Sequence, residues 1–314
     1  MSLEIEQKLE KIPVVKQFVL LLKKIKLPWL SGLSFYDLME LYIVGIIEGA
    51  LSYRAAAIAF SFFMALFPFA LFILNLIPFI PIEGFQQDFL DFVRDGVPPN
   101  TYDAISKIIN DILHNSYQGL LSTGFILSIF LMANGLNAIL DGFENSYHVV
   151  IKRKFLRQYL VALGMSIFFS FLLLFTVAII VIFEVFIQKS KIQDVFTDRI
   201  QLIQLGRYIF LIGMILMTTS ILFKFGTKRD DKHSLISIGA VFATILIILS
   251  SYFFGIWVIR FSKYNELYGS IGTLLIVMFY IWINCMVLLL GFELNGAIRK
   301  LKTHKTAETY IEEP

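Results

Sequence analysis

The sequence predicts an all-α, polytopic membrane protein with six transmembrane helices, and three observations carry the prediction. The 314-residue chain is 57% hydrophobic and 16% charged, with a mean hydropathy of +0.75. A soluble domain is about 45–50% apolar and about 25% charged. The apolar residues come in runs that match the roughly 20 residues a bilayer core needs. They are rich in Phe, at 32 copies, and lack the period-two alternation of a barrel strand. Basic residues counted at and between the ends of those runs fall unevenly, nineteen on one side and seven on the other. By the positive-inside rule both termini are then expected in the cytoplasm.

Residues 1–54 read as a cytoplasmic or interfacial segment. Leu9, Ile12, Val15, Phe18, Val19 and Leu22 recur at helical spacing with Lys8, Lys11, Lys16 and Lys23 between them, the pattern of an amphipathic helix at a membrane surface. No short apolar core with a small-residue cleavage site is present, so the segment is expected to be retained. Residues 35–54 are apolar but interrupted by Asp37, Glu40 and Glu48, which predicts a helix along the surface rather than a crossing.

The six-helix domain is expected over 55–298. Its spans are 55–81, 120–140, 159–187, 202–225, 235–259 and 271–298. Pro68 is expected to kink the first, because proline removes a backbone hydrogen bond that lipid cannot replace, and Asn75, seven residues on, is placed to repair it. Residues 82–119 form a polar outer loop with two helical patterns around Pro98-Pro99. Residues 299–314 form a basic cytoplasmic tail. In the fifth span Gly239-x-x-x-Ala243 and Ser251-x-x-x-Gly255 put small residues one turn apart, which allows close helix approach.

The most function-like stretch runs from Asn134 to Arg157. Asn134, Asn137, Asp141, Glu144 and His148 are three or four residues apart, so one continuous helix gathers them into one polar stripe. Polar groups in hydrocarbon are costly unless they pair or face a wet cavity. Together with Asn75 and with Asn284 in the last span, the stripe is the candidate lining of a polar path between helices. The competing reading is that intramembrane Asn residues bind helix to helix and the basic loops only set topology. Glu184 and Arg207, inside consecutive spans, are expected to pair for structural reasons.

Three blocks carry a family resemblance: AAAIAFSFFMALFPF; NGLNAILDGFENSYHV with the following KRKFLRQYLVAL; and YGSIGTLLIVMFYIWINCMVLLLGFELNGAI. In order and spacing they resemble the YihY/BrkB family of bacterial inner-membrane proteins over roughly 40–300. The chain departs from the family's aromatic-basic pair followed by Pro, with Phe223-Lys224-Phe225-Gly226 in that place. The resemblance implies six spans and a bacterial plasma membrane. It implies little about activity, although members have carried a ribonuclease BN label.

The residues do not support that label. Metal-dependent RNA hydrolysis needs clustered His and carboxylate ligands, whereas His114, His148, His233 and His304 are scattered along the chain. No Walker-type loop, Gly-x-Ser-x-Gly elbow or His-Glu-x-x-His is present. A single cysteine, Cys285, excludes an internal disulfide framework or a Cys-based metal site. The expectation is therefore a non-enzyme without catalytic residues, metal or cofactor. Its partners are membrane lipids and envelope proteins, not nucleic acid. The function expected is transport or lipid and anion handling, and the alternative is a non-catalytic scaffold of an envelope complex. Exchanging the charges of Glu184 and Arg207 together should restore folded protein that either exchange alone depletes; a double exchange that rescues nothing contradicts the pair.

Overall fold

The computed structural model describes residues 23–26, 34–76, 120–147, 154–189, 197–226, 235–260 and 270–312, together with Gln87, Leu90, Asp91, Arg94 and Ser106. Among the described residues seven helices follow one another: α1 (Phe35–Glu48), α2 (Leu51–Leu76), α3 (Leu120–Glu144), α4 (Phe155–Lys189), α5 (Thr197–Gly226), α6 (Ile238–Arg260) and α7 (Ser270–Glu312). Within the described residues, one helix falls in each of the six expected apolar runs. Helices α2 to α7 form a ring in which each packs on the next and α7 closes on α2. The amphipathic pattern before residue 23 and most of the 82–119 loop lie outside the described residues, although Arg94 and Asp91 in that loop form an exposed ion pair at 2.6 Å.

Among the described residues four helices are long and apolar enough to cross a membrane: Phe155–Ile180, Tyr208–Gly226, Ile238–Val258 and Leu274–Lys302. Counting α1 and α2 as one bent unit makes five.

Helix α1 begins at a capping box. The Ser34 hydroxyl accepts from the Asp37 backbone N–H at 3.2 Å, and the Ser34 N–H donates to Asp37 Oδ2 at 2.9 Å. Asp37 thus satisfies the open end of a helix. At Gly49-Ala50 the chain turns by 60° into α2, with Ala50 at φ +46, a left-handed conformation that costs a side-chain-bearing residue on the order of 1–2 kcal/mol. The turn lays Leu38 and Tyr42 against Ala297, Ile298 and Leu301 of α7. Helix α2 starts four residues before the expected span and runs through Pro68. Helix α7 runs through the expected tail to Glu312, since no glycine or proline interrupts 299–312.

The densest core lies toward the end of the ring where the chain enters α2. Phe143 and Phe292 stack at 4.2 Å, and Phe223 meets both edge-on at 5.6 and 5.9 Å. Helices α6 and α7 cross through Gly239 and Gly291. A Cβ on Gly291 would stand 2.6 Å from the Gly239 carbonyl oxygen and 2.8 Å from Ala243 Cβ, so the small residues at 239 and 243 do admit a close crossing. Gly255, by contrast, meets nothing within 4 Å. Gly291→Leu should therefore force α6 and α7 apart and lower thermal stability by about 1–3 kcal/mol or more, while Gly213→Leu, where nothing lies within 4 Å, should be tolerated. Equal melting temperatures for the two variants would contradict this crossing.

Candidate functional site

At the α1–α2 elbow the side chain of Arg54 turns inward. It sits in the first turn of α2, where a cation opposes the helix dipole. Two neighbouring helices offset this with their negative ends. Arg54 Nη1 donates to the carbonyl of Gly49, the C-cap of α1, at 2.9 Å, and Nε donates to the carbonyl of Gly142, in the last turn of α3, at 3.0 Å. The charge itself is matched by Glu293 of α7, whose Oε1 lies 2.7 Å from Nη1. Its other oxygen, Oε2, accepts from Ser146 Oγ at 2.8 Å. The side chain of Arg54 is 9% exposed and that of Glu293 is fully buried.

This cluster ties α1, α2, α3 and α7 together at one point. Gly49 fits there because a Cβ would stand 3.0 Å from Arg54 Nη1. Neither residue stands out in the sequence: Arg54 is one of many basic residues flanking the apolar runs, and Glu293 lies near the end of the last run. The available signal was the carboxylate in Gly-Phe-Glu-Leu-Asn, an ionisable residue inside an apolar run. Two residues on from Glu293, Asn295 caps α6: its Oδ1 accepts from the Gly239 N–H at 2.8 Å, and its Nδ2 donates to Ser237 Oγ at 2.9 Å.

The second feature is a cleft of about 580 Å3 inside the ring, between α2 and α3 on one side and α4 and α5 on the other. Phe62 of α2 and Leu173 of α4 line it and are also exposed, which marks its mouth. Its wall is almost wholly hydrocarbon. Four hydroxyls reach it, those of Ser166, Thr176, Thr218 and Thr219. Each donates back to its own helix, to Leu163 O at 2.8 Å, Leu172 O at 2.7 Å, Met214 O at 2.9 Å and Ile215 O at 3.0 Å respectively. Their hydrogens are spent on the backbone, as expected where no water is at hand.

The polar stripe lies elsewhere. On α3 the cleft takes Met132, Gly135, Leu136 and Ile139, which at 100° per residue occupy the face opposite Asn134, Asn137 and Asp141. Asn134 and Asp141 are exposed, Asn137 is half-buried and Glu144 is buried. Asp141 accepts from Asn145 Nδ2 at 3.2 Å. Asn284 is half-buried and donates to the Tyr280 carbonyl at 2.8 Å, while the Tyr280 hydroxyl meets Ser251 Oγ at 2.6 Å between α7 and α6. Thr219 and Thr244 likewise join α5 to α6 at 3.2 Å. Pro68 is half-buried on α2. His148 lies outside the described residues, and the side chains of Asn75, Glu184 and Arg207 lie outside those described on their helices. Among the described residues no group of three or more His, Cys, Asp or Glu could hold a metal ion.

A family model described as Virulence factor BrkB matches residues 44–311. The ribonuclease-like protein YfkH of Bacillus subtilis (strain 168) is 28% identical over 257 residues, which cover 79% of this chain and 90% of that protein. A UPF0761 membrane protein of Coxiella burnetii (strain RSA 493 / Nine Mile phase I) is 23% identical over 263 residues, 80% of this chain and 89% of that one. No solved structure matches.

Replacing one member of a buried ion pair leaves the other charge stranded, a loss of about 3–5 kcal/mol, whereas replacing both by apolar residues is far milder. Arg54→Met or Glu293→Leu alone should therefore sharply lower the melting temperature of the detergent-solubilised protein. The double variant should recover most of the loss. A double variant as damaged as the sum of the two singles would contradict the coupling.

Proposed function

The chain belongs to the Virulence factor BrkB family of membrane proteins, and from that premise we propose that it handles membrane lipid by holding an acyl chain in the cleft between α2, α3, α4 and α5. The carrying observation is the chemistry of the cleft wall. Water in a cavity needs about two to four polar partners, and the four hydroxyls here already donate to their own helices. A dry, empty space of this size forfeits the dispersion contacts of every atom around it. The mouth at Phe62 and Leu173 opens at the exposed side of the bundle, where acyl chains are the abundant apolar solute. An acyl chain fits both the volume and the wall.

This reading takes the hydrocarbon cleft, rather than the polar stripe, as the binding element. It assigns the chain no catalytic residue, cofactor or nucleic-acid partner; the ribonuclease-like name belongs to the Bacillus relative. It includes six spans with both termini on the cytoplasmic side of a bacterial inner membrane. Support comes from the charges that gather at one end of the ring: Arg157 in the first turn of α4, Lys224 at the end of α5, and Arg299 and Lys300 on α7. Lys and Arg near that surface would draw anionic headgroups by on the order of 1 kcal/mol each.

Thr218→Phe adds a ring to the cleft wall and removes only a hydroxyl that bonds its own helix. Lipid co-purified per protein should fall severalfold in native mass spectra at unchanged melting temperature. Val241→Phe, on the exposed outer side of α6, should change neither. Undiminished lipid in a folded Thr218→Phe protein would contradict the assignment.

A further inference from the structure

The cleft has a definite length and a closed end. Its wall on α4 runs from Ser166 to Val177, and on α5 from Leu211 to Leu222. At the rise of an α-helix each stretch spans about 16 Å, so two helices set the same length independently. Toward the Arg54–Glu293 end the wall stops at Ile139 on α3, Leu222 on α5 and Leu288 on α7. Within about one turn beyond, each of these helices contributes one ring to the packed group of Phe143, Phe223 and Phe292. The rings form a floor, and close packing there stops a bound chain from extending farther.

Width is the second observation. With C–C bonds of about 1.5 Å in a tetrahedral zigzag, an extended hydrocarbon advances about 1.25 Å per carbon, so one chain spanning the cleft brings about 13 carbons. A cavity of about 150 Å3 holds one benzene, and at that density the cleft, at about 580 Å3, holds about 23 carbons. The space is thus nearly twice what one extended chain fills. A lone chain would leave much of the wall without dispersion partners. The wall also decides which bulkier ligand fits. A rigid fused-ring hydrocarbon needs flat faces, and among the lining residues only Phe62 and Phe169 are aromatic. Branched Leu, Ile and Val with the adaptable Met132 and Met214 make an uneven wall that suits separate, flexible chains.

We infer that the cleft takes two acyl chains side by side, both from one diacyl lipid. The inference rests on the reading that the cleft holds acyl chain, and adds the number of chains and the class of lipid. The second chain of a diacyl lipid arrives tethered to the first, which favours one such lipid over two single-chain molecules.

The test counts lipids on the delipidated full chain in native mass spectra. Lipids that also bind the Thr176→Phe/Thr218→Phe double variant, narrowed on both α4 and α5, are surface lipids and are subtracted. Dimyristoyl phosphatidylglycerol should then saturate at one molecule per protein and its single-chain lysolipid at two. The diacyl lipid should displace the lysolipid when supplied at about tenfold lower concentration. Saturation by one lysolipid, a lysolipid that competes as well as the diacyl lipid, or displacement of both by cholesterol hemisuccinate overturns the two-chain inference and leaves hydrocarbon binding in the cleft standing. Undiminished binding of every lipid to the folded double variant overturns the acyl-chain reading, and this inference with it. Should the double variant fail to fold, the competition on the unsubstituted chain decides alone.

Discussion

The bundle depends on one buried ion pair. Arg54 and Glu293 are 239 residues apart in sequence and 2.7 Å apart in space. Burying either alone would cost several kcal/mol. Together, with Gly49, Gly142 and Ser146 filling further hydrogen-bonding positions, they fix the entry into α2 relative to α3 and α7. The left-handed Ala50 and the 60° elbow follow from that constraint, because Arg54 bonds the carbonyl that closes α1 while its own backbone begins α2. The stacked Phe143 and Phe292 adjoin the same point, each next in sequence to a member of the cluster.

Farther along the same helices the packing loosens into the cleft. Small residues close the α6–α7 crossing at Gly239 and Gly291, and single hydroxyl or amide bonds join α5 to α6 and α6 to α7. Between α2 and α3 and the facing α4 and α5, side chains of Leu, Phe, Met and Val leave space in which the hydroxyls of Ser166, Thr176, Thr218 and Thr219 already bond their own helices. The proposed lipid handling rests on that contrast. A tight, charged anchor holds one end of the walls while the middle of the ring stays open to hydrocarbon.

Much of the fold was legible because apolar runs of bilayer length have few alternatives. Within the described residues each of the six runs holds one helix, α2 to α7, although α7 continues past its run to Glu312. The elbow was not legible, since its left-handed residue is Ala50 and not glycine. Asp37, read as a charge that keeps its helix at the surface, is a cap for Ser34. The site was less legible than the fold. Spacing puts Asn134, Asn137 and Asp141 on one side of a helix, yet spacing says nothing of what that side meets. Arg54 looked like one more basic flank residue, and only packing discloses that it turns inward to a carboxylate on the last helix. The cleft has no sequence signature, because a void belongs to the fit between helices and not to any residue in them.

Mapping where acyl chains touch the protein tests the central claim most directly. Phospholipid carrying a photoreactive group within its acyl chain would be incorporated into membranes holding the full chain, activated, and the labelled peptides identified. The account predicts label on inward residues of α2, α3, α4 and α5, such as Ala65, Leu136, Phe169 and Leu211, which line the cleft, beyond the labelling of exposed ridges. Label confined to outward residues such as Val241, Ile245 and Leu249 of α6 would contradict it.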